Sequence, residues 1–319
     1  MRSLLEQTVT PGRVVVIDDC STDDTAAVAR AAGAEVVRPP ANTGSKAGAQ
    51  MHALEGVETE LVMAVDADTT LAPDAIELLL PALDDPEVVA ACGFVLPRDV
   101  GTVWERGRYV EYMLAFSFFK RIQDTFEKPL ISSGCFSVYR TAELRDAGGW
   151  STRTMAEDMD LTWTLYADGH KVRFVPEAVS YPVEPHDFGF MGKQLRRWSH
   201  GFVQNVRLHW RSLLSLGYLR STVTVAFWDA VVASLAYLVI LPILAIVVSP
   251  LILAGYLIDA PVVLVPVLWQ AASRREVLKA LASFPSFFVL RMVNGFFMLS
   301  AIWRELIVRR PLLVYEKGH

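Results

Sequence analysis

Eighteen consecutive residues, Val231 to Val248, carry no charge. An uncharged run of that length is enough to cross a bilayer as a helix. Two further stretches are candidates. Leu251 to Trp269 is weakened by Asp259-Ala260-Pro261, and Phe284 to Trp303 by Arg291 and Asn294. Arg274, Arg275 and Lys279 fit a cytoplasmic loop after an even number of crossings. Arg304, Arg309 and Arg310 put basic charge beyond the third stretch as well. That stretch is then interfacial or re-entrant, or the number of crossings differs.

The charge is divided as sharply as the hydropathy. Residues 1–190 hold 16 Lys and Arg against 30 Asp and Glu, whereas residues 191–319 hold 14 against 5. An acidic half is joined to a basic, apolar one. This is the footprint of a soluble domain on an anionic membrane face. It speaks against nucleic acid, because the basic residues cluster beside apolar runs. Cys20, Cys92 and Cys135 are isolated, with no zinc or redox spacing, and are expected as small core or loop residues without disulfides. Met1-Arg2-Ser3 runs into a polar stretch with no signal peptide.

The acidic half alternates short apolar runs with helical stretches. Val14 to Ile17, Glu35 to Arg38, Leu61 to Val65, Val88 to Leu96, Leu130 to Tyr139 and Lys171 to Val175 are expected strands. The opening strand–helix–strand pattern suggests a parallel sheet, and Leu61 to Val65 a strand buried on both faces. Ser21 or Thr22 is expected to cap the first of these helices. Residues 101–127 are expected to be a long helical region whose aromatic residues pack. Ser132-Ser133-Gly134 offers a point of close approach for a ligand. From His186, apolar residues including Phe188, Leu195 and Trp198 alternate with Lys193, Arg196, Arg197 and Arg207, as in an amphipathic helix lying at a membrane surface.

Asp66 and Asp68 stand where the strand Leu61–Val65 leaves its sheet, the position at which open α/β sheets bind ligands. Two carboxylates this close repel unless a positive charge lies between them. A divalent cation shared with phosphates would supply it; two solvated loop aspartates are the alternative. Asn42 to Ala49 leads through Gly44 into a helix whose amides, with Lys46, suit an anion. Glu157, Asp158 and Asp160 open another helix, where acids complement the helix dipole.

Four motifs in order carry a resemblance: Ile17-Asp18-Asp19-Cys20-Ser21-Thr22-Asp23, Asp66-x-Asp68, Ala156-Glu157-Asp158 and Gln194-Leu195-Arg196-Arg197-Trp198. Together, over about residues 1 to 220, the chain resembles the family-2, inverting, processive-type glycosyltransferases, such as the cellulose, chitin, hyaluronan and poly-N-acetylglucosamine synthases. The resemblance implies an α/β GT-A fold, Rossmann-like with a mainly parallel sheet, followed by amphipathic interfacial helices and C-terminal transmembrane helices. It divides the chain into a GT-A domain over 1–185, an interfacial region over 186–221, a membrane region of two to three helices over 222–304, and a basic tail over 305–319.

The same resemblance implies the chemistry. Asp158, with Glu157 beside it, is the general base that takes a proton from an acceptor hydroxyl. Asp68 and Asp66 hold Mg2+ or Mn2+ at the diphosphate. Asp19 contacts the uridine part of the donor, and Lys46 the nucleotide or diphosphate. Gln194, Arg197 and Trp198 form the platform for acceptor and diphosphate, with an interfacial anchor as the alternative for Trp198. The implied partners are a UDP-sugar donor, UDP-N-acetylglucosamine being the candidate, a glycan or lipid-linked acceptor, and membrane lipid. The implied location is the cell membrane, multi-pass, with the catalytic domain cytoplasmic. The alternatives are transfer of one sugar to a lipid carrier, and an inactive nucleotide-binding membrane subunit.

Two departures from the family stand out. Ala156 replaces the usual Thr before Glu157-Asp158. The resemblance places the family's first strand, with its nucleotide-cradling turn, upstream of Leu4-Leu5-Glu6-Gln7-Thr8, so the chain is expected to be N-terminally truncated, through a start placed too late or as a fragment. The absence of that strand would expose a sheet edge, and it predicts weak or no turnover from residues 1–319 alone.

Overall fold

The computed structural model describes residues 1–312. In chain order the elements are α1 (Arg2–Leu5), β1 (Val15–Ile17), α2 (Thr25–Ala31), β2 (Glu35–Val37), α3 (Lys46–Leu54), β3 (Leu61–Val65), β4 (Thr70–Leu71), α4 (Ala75–Leu79) and β5 (Val88–Val95). They continue with α5 (Val103–Leu114), α6 (Lys120–Asp124), β6 (Phe136–Arg140), α7 (Thr141–Asp146), α8 (Glu157–Ala167) and β7 (Lys171–Tyr181). The helices α9 (Phe188–Ser215), α10 (Gly217–Leu235), α11 (Leu241–Val247), α12 (Ala260–Ser273) and α13 (Val277–Ile302) follow. They form two compact units. The first takes Met1–Val95 and Gln123–Pro182, and the second takes Leu96–Ile122 and the chain from Val183 onward.

In the first unit β1 and β2 pair in parallel, and five further strands lie in the order β3-β6-β5-β7-β4. This second sheet is mixed rather than mainly parallel. Only β5 and β7 run the same way, while the β3–β6, β5–β6 and β4–β7 pairs are antiparallel. The strand buried along its whole length is β5, which lies between two neighbours and has helices beyond. β3 ends the strand order, and of its residues only Ala64 is fully buried. Apolar runs show neither pairing direction nor whether a strand stands at a sheet edge, which is why the mainly parallel sheet and the two-sided burial of β3 are not found. β1 and β2 do pair in parallel, as the opening strand–helix–strand pattern suggests. The core under β5 gathers Leu79, Val88, Ala91, Phe136 and Val138 with α4 and β7. Each large apolar side chain withdrawn here contributes roughly 1.5–3 kcal/mol. Buried Gln7 ties the N-terminal segment to that core. Its Nε2 donates to Ala72 O at 2.7 Å, and its Oε1 accepts the Ile76 N–H at 3.0 Å. α2 starts later than expected: its cap position is Asp24, while the Ser21 N–H donates to Asp18.

In the second unit α5 begins with a capping box. Glu105 N–H donates to Thr102 Oγ1, and Thr102 N–H donates to Glu105 Oε2. The expected long helix over 101–127 is interrupted by a π-turn at Ala115–Phe119 and ends at Asp124. α5 packs closely on α13 through Gly107, where a Cβ would come within 2.9 Å of Leu290 Cβ and the Ser286 carbonyl. α9 is one helix of 28 residues, capped by Asp187, whose Oδ1 accepts the Phe190 N–H at 2.9 Å. Met191 and Leu195 of α9 join Leu290 of α13 in a buried cluster. Three helical stretches are long and apolar enough to cross a membrane: Gly217–Val247, Pro250–Ser273 and Val277–Ile307. The polar residues that weaken the second and third in the sequence have partners. Arg291 forms an ion pair with Asp259, and Asn294 Nδ2 donates to Glu111 Oε1 at 2.8 Å.

Candidate functional site

The antiparallel register of β3 on β6 builds the centre of the first unit. Leu61 faces Arg140 and Val65 faces Phe136, so the end of β3 meets the beginning of β6. Asp66 therefore lies beside the turn before β6, and its N–H donates to Cys135 O at 3.3 Å. Asp66 to Thr69 form a tight turn closed by the Thr69 N–H donating to Asp66 O at 3.0 Å. This turn carries Asp68, whose Oδ1 lies 3.4 Å from the Thr69 hydroxyl.

Three side chains of α8 fix the loop on the other side. Trp163 Nε1 donates to Leu130 O, the Tyr166 hydroxyl donates to Pro129 O, and Ser132 N–H donates to Thr162 Oγ1. The loop then delivers Gly134. Its N–H donates to Asp158 Oδ2 at 2.8 Å, and its carbonyl accepts from Lys46 Nζ at 2.9 Å. Lys46 also forms an ion pair with Asp66 and lies 3.8 Å from Glu157 Oε1. One ammonium thus stands among the Asp66 turn, the Gly134 loop and the start of α8. Burial works against its charge, but Asp66 and Glu157 outweigh burial and raise its pKa above the ordinary lysine value.

Asp19 holds the loop that leads to Lys46. Its Oδ1 accepts the Thr43 N–H at 2.7 Å, and its carbonyl accepts from Asn42 Nδ2 at 2.7 Å. The loop so held leads to Ser45, which caps α3 by accepting the Gly48 N–H, and Lys46 is the first residue of that helix. The structure thus brings Asp19, Lys46, Asp66, Glu157 and Asp158 into one connected set within the first unit. Asp68 sits on the same turn as Asp66.

The donor set suits a hard divalent cation. Among the described residues no three His, Cys, Asp or Glu side chains converge as a closed metal cage. Magnesium and manganese commonly take one or two carboxylates and complete their shell with phosphate oxygens and water. Asp66 and Asp68, half-buried on one turn, offer that, and the Lys46 ammonium already lies against Asp66.

Gln194, Arg197 and Trp198 lie on α9 in the second unit, and Gln194 and Trp198 are organised by Arg108 of α5. This guanidinium is 1% exposed. Its Nη2 donates to Gln194 Oε1 at 2.6 Å, its Nε lies 3.3 Å from Glu184 Oε2, and its Nη1 pairs with Glu111. Its carbon sits 4.6 Å from the centre of the Trp198 ring. Burial opposes the charge, but Glu111, Tyr112 and Glu184 reverse the effect and hold its pKa above the ordinary arginine value. Arg197 is half-buried on the same helix.

Sequence reasoning missed Arg108 and Glu184, gave Asp160 only a helix-dipole role, and gave Asp18 no role of its own. Asp160 is buried and clamped by Arg153, with Nε to Oδ2 and Nη2 to Oδ1 both at 2.7 Å. Asp18 is buried beneath Asp19 and accepts from Ser21 N–H and Arg38 Nη1. The signals existed: an Arg–Glu pair three apart in an aromatic helix, and acids doubled beside the chosen ones.

Comparison with known proteins fits this geometry. Residues 61–259 match the family described as glycosyl transferase family group 2, and the chain belongs to that family. It is 32% identical over 219 residues to the uncharacterized glycosyltransferase YaiP of Escherichia coli (strain K12), a match covering 64% of this chain and 52% of YaiP. It is 26% identical over 193 residues to a poly-β-1,6-N-acetyl-D-glucosamine synthase of Staphylococcus epidermidis, covering 59% of this chain and 47% of the synthase. The chain thus spans about half the length of these relatives. The mannosyltransferase PcManGT of Pyrobaculum calidifontis, solved with GDP-Man and Mn2+, shares the fold. Its TM-score is 0.62 at 19% identity, over 97% of this chain and 82% of that one. The first unit is a mixed α/β sheet domain of the GT-A kind.

Proposed function

We propose that the chain is a membrane-bound, inverting glycosyltransferase. In this reading it moves a sugar from a UDP-sugar, first of all UDP-N-acetylglucosamine, to a glycan acceptor in β-linkage. The observation that carries the reading is the Asp158 carboxylate, held at the start of α8 by the Gly134 N–H and set beside Lys46 and Asp66. Asp158 takes the proton of an acceptor hydroxyl as that oxygen bonds to the anomeric carbon. The bond from that carbon to the diphosphate breaks, the nucleoside diphosphate leaves with the electron pair, and the centre inverts without a covalent intermediate. Lys46 binds diphosphate oxygens, and Asp19 keeps its loop in place and contacts the nucleoside. A magnesium or manganese ion held by Asp68 and Asp66 would offset the charge that grows on the leaving group. Gln194, Arg197 and Trp198 serve the acceptor and the diphosphate.

The names of the YaiP and poly-β-1,6-N-acetyl-D-glucosamine synthase relatives support a sugar transferase and an N-acetylglucosamine donor. The three candidate spans and the basic charge of the C-terminal part support a multi-pass protein of the cell membrane with its catalytic unit in the cytoplasm. The test is nucleoside diphosphate release by the full chain in detergent. UDP-N-acetylglucosamine, UDP-glucose and GDP-mannose are each supplied with magnesium, with manganese and with EDTA. Metal-dependent release from a UDP-sugar is expected, and Asp158→Asn should lower it by about 10²–10⁴-fold while UDP still binds. Product on a polyprenyl phosphate alone would replace the glycan acceptor by a lipid carrier. Absence of both release and UDP binding, or an Asp158→Asn variant as active as the parent, would overturn the reading.

A further inference from the structure

The amide of a glutamine can face either way, and its orientation decides what it recognises. At Gln194 the neighbour decides. A guanidinium has donors and no acceptor, so the 2.6 Å contact from Arg108 Nη2 requires the carbonyl oxygen of Gln194 on that side. The group Gln194 then presents is its NH2. Arg108 also lies against the Trp198 ring, 4.6 Å from its centre, while that side chain remains 37% exposed. One face of the indole is thus covered by the guanidinium, and the exposed part of Trp198 lies elsewhere on the residue.

Arg108 is itself firmly placed. Glu184 and Glu111 pair with it, the Tyr112 hydroxyl donates to Glu184 Oε1 at 2.9 Å, and Asn294 donates to Glu111. Its Nη2 also lies 3.2 Å from the Met191 sulfur. Met191, Gln194, Leu195 and Trp198 recur at helical spacing, so one stripe of α9 faces this cation. A buried ion cluster is a costly way to hold two helices together, since apolar packing does so as well or better. Its distinctive product is orientation.

We infer that Arg108, anchored by Glu111 and Glu184, is a positioning residue that turns Gln194 to present a hydrogen-bond donor and leaves the exposed part of Trp198 to an acceptor sugar. This rests on the glycosyltransferase reading above. The donor suits a sugar oxygen, either a hydroxyl or an acetamido carbonyl, and the exposed indole surface suits the apolar side of a pyranose. Lysine cannot replace Arg108, because a point charge lacks the planar fork that reaches Gln194 while lying flat on the indole.

The test uses the full chain in detergent, labelled with 5-fluorotryptophan, with the Trp198 resonance assigned by Trp198→Phe. Acceptor KM and kcat are measured with an N-acetylglucosamine oligomer. Arg108→Lys is expected to move the Trp198 resonance. It should raise acceptor KM about tenfold, the worth of one hydrogen bond, with donor KM unchanged. Gln194→Glu should keep the Trp198 resonance, because a carboxylate still accepts from Arg108. It should lose acceptor affinity as fully, because the NH2 is gone. If Arg108→Lys fails to fold, Glu184→Gln removes one anchor and should shift the same resonance by less. A Trp198 resonance indifferent to Arg108→Lys, or to Glu184→Gln where that variant stands in, would overturn the inference. So would a parental acceptor KM in Gln194→Glu. A resonance that moves in a chain with neither nucleoside diphosphate release nor UDP binding would support the orientation and reject the transferase reading instead.

Discussion

Gly134 and Asp158 leave no space between them. The glycine N–H donates to Asp158 Oδ2 at 2.8 Å, and a Cβ on the glycine would lie 2.9 Å from that oxygen and 3.2 Å from Lys46 Nζ. Gly134→Ala must therefore displace the ends of two flexible side chains and need not disturb the sheet. Turnover should fall by about 10–100-fold, the scale of a misplacement near 1 Å, with the melting temperature nearly unchanged. A fully active Gly134→Ala protein would show that Asp158 need not sit where the glycine holds it.

Lys46→Met removes the cation from among Asp66, Glu157 and Gly134. Divalent ions no longer compete with an ammonium for Asp66, so manganese binding without nucleotide should tighten. UDP should bind about tenfold more weakly for want of a charged donor. Titration by manganese paramagnetic resonance and by calorimetry reads the two opposite changes. Since burial is outweighed by Asp66 and Glu157, the pKa of Lys46 lies above its ordinary 10.5. Its ion pairs are therefore complete below pH 10.5 and are lost only as pH rises through the higher folded value. A basic limb of the activity profile below pH 9 or so would belong to another group.

Asp18 gives the opposite sign. The Ser21 hydrogen bonds, and then the Arg38 charge, lower its pKa from 3.8. Its contribution to stability is present above pH 3.8 and disappears as pH falls through the lower folded value. Asp18→Asn should melt a few degrees below the parent at neutral pH. The two melting curves should converge only in strong acid. A gap that widens on acidification would contradict this assignment.

Arg291 and Asp259 are largely withdrawn from solvent and pair across two candidate spans. Removing one partner of such a pair costs about 3–5 kcal/mol, whereas replacing both by apolar groups is often neutral. Arg291→Met alone should unfold or aggregate in detergent well before the parent. Arg291→Met combined with Asp259→Leu should recover most of the loss. A double variant no more stable than Arg291→Met would mean that the pair is not what holds these helices.

Much of the candidate site was legible because carboxylates at strand ends and helix starts mark themselves. Asp66 and Asp68 follow an apolar run, and Glu157 and Asp158 precede a helix. The relationships joining them were not legible. That Asp66 would lie beside the Gly134 loop depends on β6 running antiparallel to β3, and hydrophobic runs say nothing of direction. Arg108 has only Glu111 near it in the sequence, since Glu184 and Gln194 lie more than seventy residues away. Asp259 and Arg291 each argued against a membrane span when taken singly. Their pairing restores both, and no linear pattern announces it.

The excursion of residues 96–122 has a consequence for the order of folding. The chain leaves the first unit after β5, contributes α5 to the second, and returns for β6 and β7. During synthesis α5 emerges well over a hundred residues before α13, which at ~5–20 residues per second is a delay of roughly ten to thirty seconds. When β7 has just been made, Arg108 has Glu111 beside it, but neither Glu184 nor Gln194 has yet been added to the chain. The last strand of the sheet is therefore made before the final partners of α5 exist, so newly made chains should be most vulnerable to proteases and to misassociation at this helix.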